Sequence, residues 1–374
     1  MSPEKPKTTR ITWQERRRQT LESQGQLLSV ALWTALILGS FYVLHQGRSL
    51  VVPFLLALIA VYLIFLVSRW IQGLSFGIFR LPRSMATFIA FGVIFGLGYL
   101  LFSIVADNAA AVANEAPRYQ ARLMKIQATL FKEFNIQEPG ALRSFFSSFD
   151  LRGIFTGMAS NLASLLGNVT LVFIYSLFLA FEIRHIPAKI EALFPNTQRR
   201  EKLEIIIRRV DRDINTYLGV KTLVSLVTGL LSYAVMRIVG LEFAEFWALL
   251  IFILNFIPTV GSIISTLLPT VFALVQFEDT FKPFLIIGIS ILAIQQILGT
   301  IIEPNLVGGS LNVSPLVVIM SLFLWGTILG IVGAFLCVPI TVILLIILSN
   351  FESTRWVAIL LSKNGHMRFG QDTN

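Results

Sequence analysis

Charged residues leave the chain for long stretches and return in clusters. Windows free of Asp, Glu, Lys and Arg run from Leu27 to Gly47, Ser49 to Ser68, Ser84 to Ala106, Gly153 to Phe181, Phe246 to Phe277, Pro283 to Ile302 and Pro304 to Phe351. About 20 apolar residues make a helix that crosses the roughly 30 Å hydrocarbon core of a bilayer, and each window reaches that length. An eighth segment, Thr222 to Met236, is bracketed by Lys221 and Arg237, whose aliphatic stems let their charges reach the head groups. The runs are unbroken rather than alternating, which disfavours a barrel. The pattern predicts an all-α, polytopic membrane protein of about eight hydrophobic helical segments.

Between the runs, two stretches carry a helical period. Tyr119, Leu123, Ile126, Leu130 and Phe134 recur opposite Arg118, Arg122, Lys125 and Lys132. Such a helix suits a bilayer surface, a neighbouring subunit or the protein's own surface. After "LFPNT", Leu203, Ile207, Val210, Ile214 and Leu218 share a face, and no turn signal separates them from the next apolar segment. One long helix from about Gln198 to Arg237 is therefore expected, tying a polar layer to the membrane.

Two apolar runs are too long and are interrupted. Phe246 to Phe277 is about 32 residues, half as long again as a span needs, and breaks at "NFIPTVG" with Asn255, Pro258 and Gly261. Pro304 to Phe351 is about 48 residues, roughly 70 Å as a helix, and breaks at "WGTILGIVGA" with Gly326, Gly330 and Gly333. Non-helical backbone at membrane depth survives only where protein buries it or a wet cavity meets it. Paired Gly/Pro-broken segments therefore point to a solute path, although kinks and glycine contacts also serve packing. A re-entrant hairpin and a kinked crossing both fit each break.

Composition agrees and narrows the chemistry. The chain is 55% hydrophobic and 14% charged, with a mean hydropathy of +0.76, far from an ordinary soluble domain. The net charge of +9 reads as topology rather than nucleic-acid binding. Arg10, Arg16, Arg17 and Arg18 mark a basic cytoplasmic arm over residues 1–26, too long before its apolar stretch for a cleavable signal. The stretches Arg69 to Arg83 and Arg184 to Arg212 are basic as well, so both termini are expected on the cytoplasmic side, with Arg355, Lys363 and Arg368 in the tail. The expected organisation is then membrane helices over 27–106, an extracytoplasmic amphipathic segment over 107–152, a membrane helix over 153–182, a cytoplasmic amphipathic region over 183–213, a transport region over 214–351 and a tail over 352–374. A single cysteine, Cys337, excludes an intrachain disulfide and reads as a packed residue. HExxH, GxSxG and phosphate-binding loops are absent, so neither a metal, a cofactor nor an enzymatic activity is expected.

Polar groups inside the apolar segments are the candidates for transport, because a buried Arg, Lys or Asp costs about 2.5 to 3.5 kcal/mol on insertion scales. Asp213, Tyr217 and Lys221 stand at i, i+4 and i+8 and form a stripe entering the membrane; Lys221 suits an anionic or hydroxyl-rich solute, or simply snorkels. Gln296 and Glu303 are seven apart, with Thr300 on nearly the same face and Pro304 and Asn305 following. Glu303 is the candidate proton- or sodium-responsive carboxylate, or an exposed helix end. Asn255, Gln296 and Glu303 are expected to share a cavity with the two breaks at Pro258, Gly261, Gly330 and Gly333. Gly92 and Gly96 offer a close helix contact.

The stretches "DRDINTYLGVKTLVSLVTG", "LNFIPTVGSIISTLLP" and "IIEPNLVGGSLNVSPLVVIMSLFLWGTILGIVGAFLCVPITVILL", with "GRSLVVPFLLALIAVYLI" near the N-terminus, resemble the autoinducer-2 exporter family of bacterial permeases. The chain departs at Ser314, where the family often has His, at Ala334 after Gly333, where it often has Met, and at Ile64 and Phe65, where a proline is usual. The resemblance implies a transporter of the bacterial inner membrane, linked in some members to quorum-sensing signal export and in others to sodium/proton antiport. It also implies a homo-oligomer of five copies. The expectation is a secondary transporter of a small polar solute such as autoinducer-2, working by alternating access with Na+ or H+ as coupling ion. The lipid bilayer is its one other expected partner. A sodium/proton antiporter and a non-transporting membrane scaffold are the rival readings.

Overall fold

The structure is a computed structural model that describes residues 28, 31–36, 38–73, 81–133, 153, 157, 169–277, 280–307 and 312–365. The basic arm, residues 134–152 of the amphipathic segment and the tail after residue 365 lie outside them. The chain divides at Val51. The first unit holds helix α1 (Ala31–Gln46) and the first turn of α2 (Arg48–Gly73). The second holds the rest of α2, then α3 (Arg83–Glu133), α4 (Val169–Glu182), α5 (Ile186–Leu193), α6 (Thr197–Val239), α7 (Ala244–Leu254) and α8 (Val260–Gln276). It continues with α9 (Lys282–Gln295), a π-helical turn (Gln296–Ile302), α10 (Glu303–Val307), α11 (Pro315–Leu329), α12 (Ile331–Ser349) and α13 (Arg355–Leu361). Six helices among the described residues are long and apolar enough to cross a membrane, and the protein is an all-α polytopic membrane protein.

The expected long helix is α6. Its 43 residues give about 65 Å, twice the hydrocarbon thickness. Asn196 caps its start, the side chain accepting from the Gln198 and Arg199 amides, and Gly240 ends it in the left-handed conformation at φ +86°. Helix α3 is also longer than one span and runs past Ala106 to Glu133, through Pro117.

Both interrupted segments fold back as helical hairpins. In the first, α7 and α8 lie side by side. At the tip a Cβ on Gly261 would sit 1.8 Å from the Leu254 carbonyl oxygen. At the open end the Gln276 amide donates to the Gly240 carbonyl and accepts from the Glu242 amide. The tip turns through Thr259, at φ +59° and ψ −59°, with the Val260 amide reaching the Pro258 carbonyl. This is a tight γ-turn that is strained for a β-branched residue. In the second hairpin α11 and α12 turn at Gly330, φ +69°. A Cβ on Gly333 would sit 1.9 Å from the Trp325 carbonyl oxygen, and Trp325 Nε1 donates to Thr341 Oγ1 at 3.3 Å. The arms of 11, 17 and 15 residues reach only about 16, 25 and 22 Å, and α12 about 28 Å.

The two hairpins open toward opposite ends of α6. Helix α7 returns along α6, with Gly229 against Ala248 and Phe252 and Asn255 bonded to Ser225. The first hairpin therefore opens toward the C-terminal end of α6. Helix α9 then runs antiparallel to α8, with Gly288 against Thr270 and Gln295 bonded to Ser265. On α12, Phe335 stacks on Phe256 at 4.4 Å, beside the first tip. Farther along, Leu336, Pro339 and Ile347 line one cleft with Leu218 and Leu203. The second hairpin thus opens toward the N-terminal end of α6.

Tyr119, the first residue of the amphipathic stripe on α3, is fully buried in this chain's own core against Phe272 and Trp247, and its hydroxyl donates to Glu242. Burial, then that carboxylate, raises the phenol above its ordinary value, so it stays a donor. Arg122 donates to the Gln276 carbonyl at the end of α8. Among the described residues nothing lies within 4 Å of a Cβ on Gly92 or Gly96, so the close helix contact expected there is not made among them.

Gly261→Ala and Gly333→Ala are each expected to lower stability in detergent by about 1–3 kcal/mol, because a backbone carbonyl occupies the added methyl's place. Gly92→Ala is expected to shift it by no more than about 0.5 kcal/mol. Thermal unfolding of the purified variants reads the difference.

Candidate functional site

The site grows from one face of α6. Asp213, Tyr217, Lys221, Ser225, Thr228 and Ser232 are all buried on it, at steps of three and four residues. The stripe predicted from three residues therefore continues for three more. A long helix can carry such a stripe only if neighbours cover it, and α7, α9, α10 and α12 do so.

Lys221 and Glu303 form the centre. Lys221 Nζ lies 2.7 and 2.9 Å from the two Glu303 carboxylate oxygens, so one ammonium bridges both. The side chains are 9% and 17% exposed, respectively, which rules out a snorkelling lysine and a solvated helix-end glutamate. Tyr217, one turn earlier, is buried on the same face of α6, and the second hairpin carries Cys337. The cysteine is buried, as a packed residue should be.

One turn beyond Lys221, Asn255 Nδ2 donates to Ser225 Oγ at 3.0 Å. Asn255 is the last residue before the first break, and its neighbour Phe256 carries the stack on Phe335. The two breaks and the ion pair are therefore linked through α6. Pro258 is half-buried at the tip, Gly261 and Gly333 are buried, and Gly330 forms the second tip. Asp213 sits apart from this centre and faces Arg212 at 3.6 Å and Arg209 at 3.9 Å.

Gln296 and Asn305 take other places. Gln296 is exposed, its amide oxygen accepting from Thr300, and it lines a cavity of about 300 Å³ with Ser262, Thr266 and Thr270, to which neither Asn255 nor Glu303 contributes. The buried amide is Gln295, which donates to Ser265 Oγ at 2.7 Å. The reason lies in the backbone. The seven-residue spacing assumed an α-helix, whereas residues 296–302 form a π-turn that takes up one extra residue, so Gln296 leaves the phase that an α-helix would give it relative to Glu303. Asn305 is exposed on α10. Sequence reasoning missed Ser225, Ser265, Gln295 and the Phe256–Phe335 stack. Ser225 alone had a signal, as the next step of the α6 stripe.

Among the described residues no group of His, Cys, Asp and Glu is placed to hold a metal ion. The arrangement, a buried ion pair beside two broken helices, suits the handling of a small charged or polar species.

The profile of the AI-2E family transporters matches residues 31–353. The chain belongs to the AI-2E transporter family. As a member it is a multi-pass membrane transporter. The AI-2 transport protein TqsA of Escherichia coli strain K12 is 30% identical over 336 residues, 87% of this chain and 94% of TqsA. A protein of Haemophilus influenzae named as a candidate transport protein is 30% identical over 344 residues, 90% of this chain and 95% of its own length. The family match covers α1 to α12 and so includes both hairpins and the ion pair of this AI-2E transporter.

Removing one partner of a buried pair strands the other charge, which costs about 3 kcal/mol or more, whereas removing both does not. Lys221→Met and Glu303→Gln are each expected to lower the unfolding midpoint more than the double variant does. A double-mutant cycle on thermal unfolding in detergent measures the coupling.

Proposed function

We propose that this chain is a secondary exporter of a bacterial inner membrane that carries a small polar solute, with autoinducer-2 as the leading cargo, by alternating access. The observation that carries the reading is the meeting of two oppositely opening hairpins, Phe256 on Phe335, beside the buried Lys221–Glu303 pair. Half-helix ends, freed carbonyls and a charge pair at such a junction are what a solute leaving water can bind. The name of TqsA supports the choice of cargo.

With both termini in the cytoplasm, the first hairpin faces outward and the second inward, each closing the path from one side. Parting of the tips then exposes Asn255, Lys221 and Glu303 to the solute. Lys221 leaves Glu303 to hold an oxygen-rich cargo, and the freed carboxylate takes up H+ or Na+, so exchange of the pair's partners couples the two movements. Helices α2 to α4 belong to the frame of a homo-oligomer, five copies by family resemblance, and α6 to α12 form the moving part.

Sodium/proton antiport is the second reading, favoured by the same pair, since a carboxylate that alternates between an ammonium and a small cation needs no organic cargo.

Efflux of autoinducer-2 from liposomes containing the purified protein is expected to outrun that from protein-free liposomes. Lys221→Gln and Glu303→Gln should each slow it by about tenfold or more, the effect of roughly 1.4 kcal/mol on a barrier, while Gln296→Ala leaves it unchanged. Efflux no faster than the lipid leak removes the cargo assignment and leaves sodium-for-proton exchange as the account.

A further inference from the structure

Helix α13 has a face that the fold leaves uncovered. Its inner side is made by Val357, Ala358 and Leu361, with Ala358 fully buried. Its outer side is made by Trp356, Ile359 and Leu360, exposed by 66, 43 and 73%, and Phe351 just before it is also exposed. Arg355 and Lys363 flank this face, and Glu352 is the one acidic residue between positions 351 and 363. An apolar face of this kind is unfavourable in water.

Its position says what covers it. Helix α12 is long and apolar enough to span a bilayer and ends at Ser349. A single turn follows, fixed by Thr354 Oγ1 donating to the Leu348 carbonyl at 2.8 Å, and α13 begins. A helix starting one turn beyond the end of a span lies at the depth of the head groups. Tryptophan and flanking cations are the residues that settle there. The cations also favour a leaflet with anionic lipid.

The helix is bonded to the second hairpin as well. The Ser314 amide donates to the Leu361 carbonyl at 3.1 Å and the Lys363 amide to the Asn312 carbonyl at 3.4 Å, closing a one-pair antiparallel bridge between Val313 and Ser362. Ser314 is the N-cap of α11. We propose that α13 is an interfacial anchor that seats Trp356, Ile359 and Leu360 in the head-group layer of an anionic bilayer and thereby holds the open end of the second hairpin at the membrane surface. The seating goes beyond the transport reading and does not depend on the cargo.

Cys337 is buried, so Leu360→Cys provides the labelling site for a nitroxide, with Ile359→Cys as a second site and Glu352→Cys as a reference. In vesicles of phosphatidylcholine with phosphatidylglycerol, labels at 360 and 359 are expected to collide several-fold more with oxygen than with a water-soluble nickel chelate, relative to position 352. Phosphatidylcholine alone should weaken that preference. Arg355→Gln with Lys363→Gln should abolish its dependence on phosphatidylglycerol. Nickel accessibility at 359 and 360 equal to that at 352 would overturn the seating. So would spin–spin broadening at these sites in detergent, which would assign the face to a second copy of the chain. For the link to the hairpin, Trp356→Ser with Leu360→Ser is expected to speed amide exchange at Ser314 and Lys363 several-fold in the anionic vesicles. Unchanged exchange would overturn the link.

Discussion

Two carbonyl oxygens stand where side chains would otherwise be. Leu254, the last residue of α7, and Trp325, one turn before the end of α11, each place a carbonyl oxygen under 2 Å from where a Cβ would stand on Gly261 or Gly333. Only glycine lets the second arm start there, and only a second arm that close lets the turn be tight enough to bury. Everything inward of the tips depends on this closeness. Tight turns end the arms inside the protein, and ends inside the protein bring Asn255 to Ser225 and Phe256 to Phe335. In an apolar surrounding each unpaired backbone group is costly, so interrupted helices persist only where such packing and bonding cover them.

The long helix α6 supplies the counterpart. Among the described residues it meets the first hairpin, α9, α10 and the second hairpin, and it meets them with a polar face. Lys221 and Ser225, one turn apart, reach Glu303 and Asn255 respectively, so a charge pair and an amide bond fasten the two broken regions to one rod. Such a face is poor at holding a membrane core together and good at exchanging partners. An ammonium held by a carboxylate can be handed to another oxygen acceptor when a small cation takes its place on the carboxylate, whereas apolar packing offers a solute nothing.

Much of this was legible in the sequence. The apolar runs gave the helices, the missing turn signal after "LFPNT" gave α6 as one piece, and the excess length of two runs together with Gly and Pro located both breaks. Lys221 and Glu303 were visible as costly residues, but not as partners, because 82 residues separate them and only the path of α9 joins them. That each break is a hairpin was not legible either. A kinked span and a tight return use the same Gly and Pro, and what distinguishes them is how closely two backbones approach. Gln296 stood for Gln295 because a π-turn leaves no mark in composition, while every residue after it is out of step with an α-helical count. Tyr119 was legible as one member of a stripe but not as the core residue that ties α3 to the first hairpin.

Transport by this path requires the two hairpin tips to part. The direct measurement is solute flux through the Phe256→Cys, Phe335→Cys protein, with Cys337→Ser to leave no other thiol, before and after the pair is bridged by a short reducible crosslinker. Bridged protein that carries nothing and recovers its flux on reduction is the predicted result. Flux that is the same with the tips bridged and unbridged would contradict it.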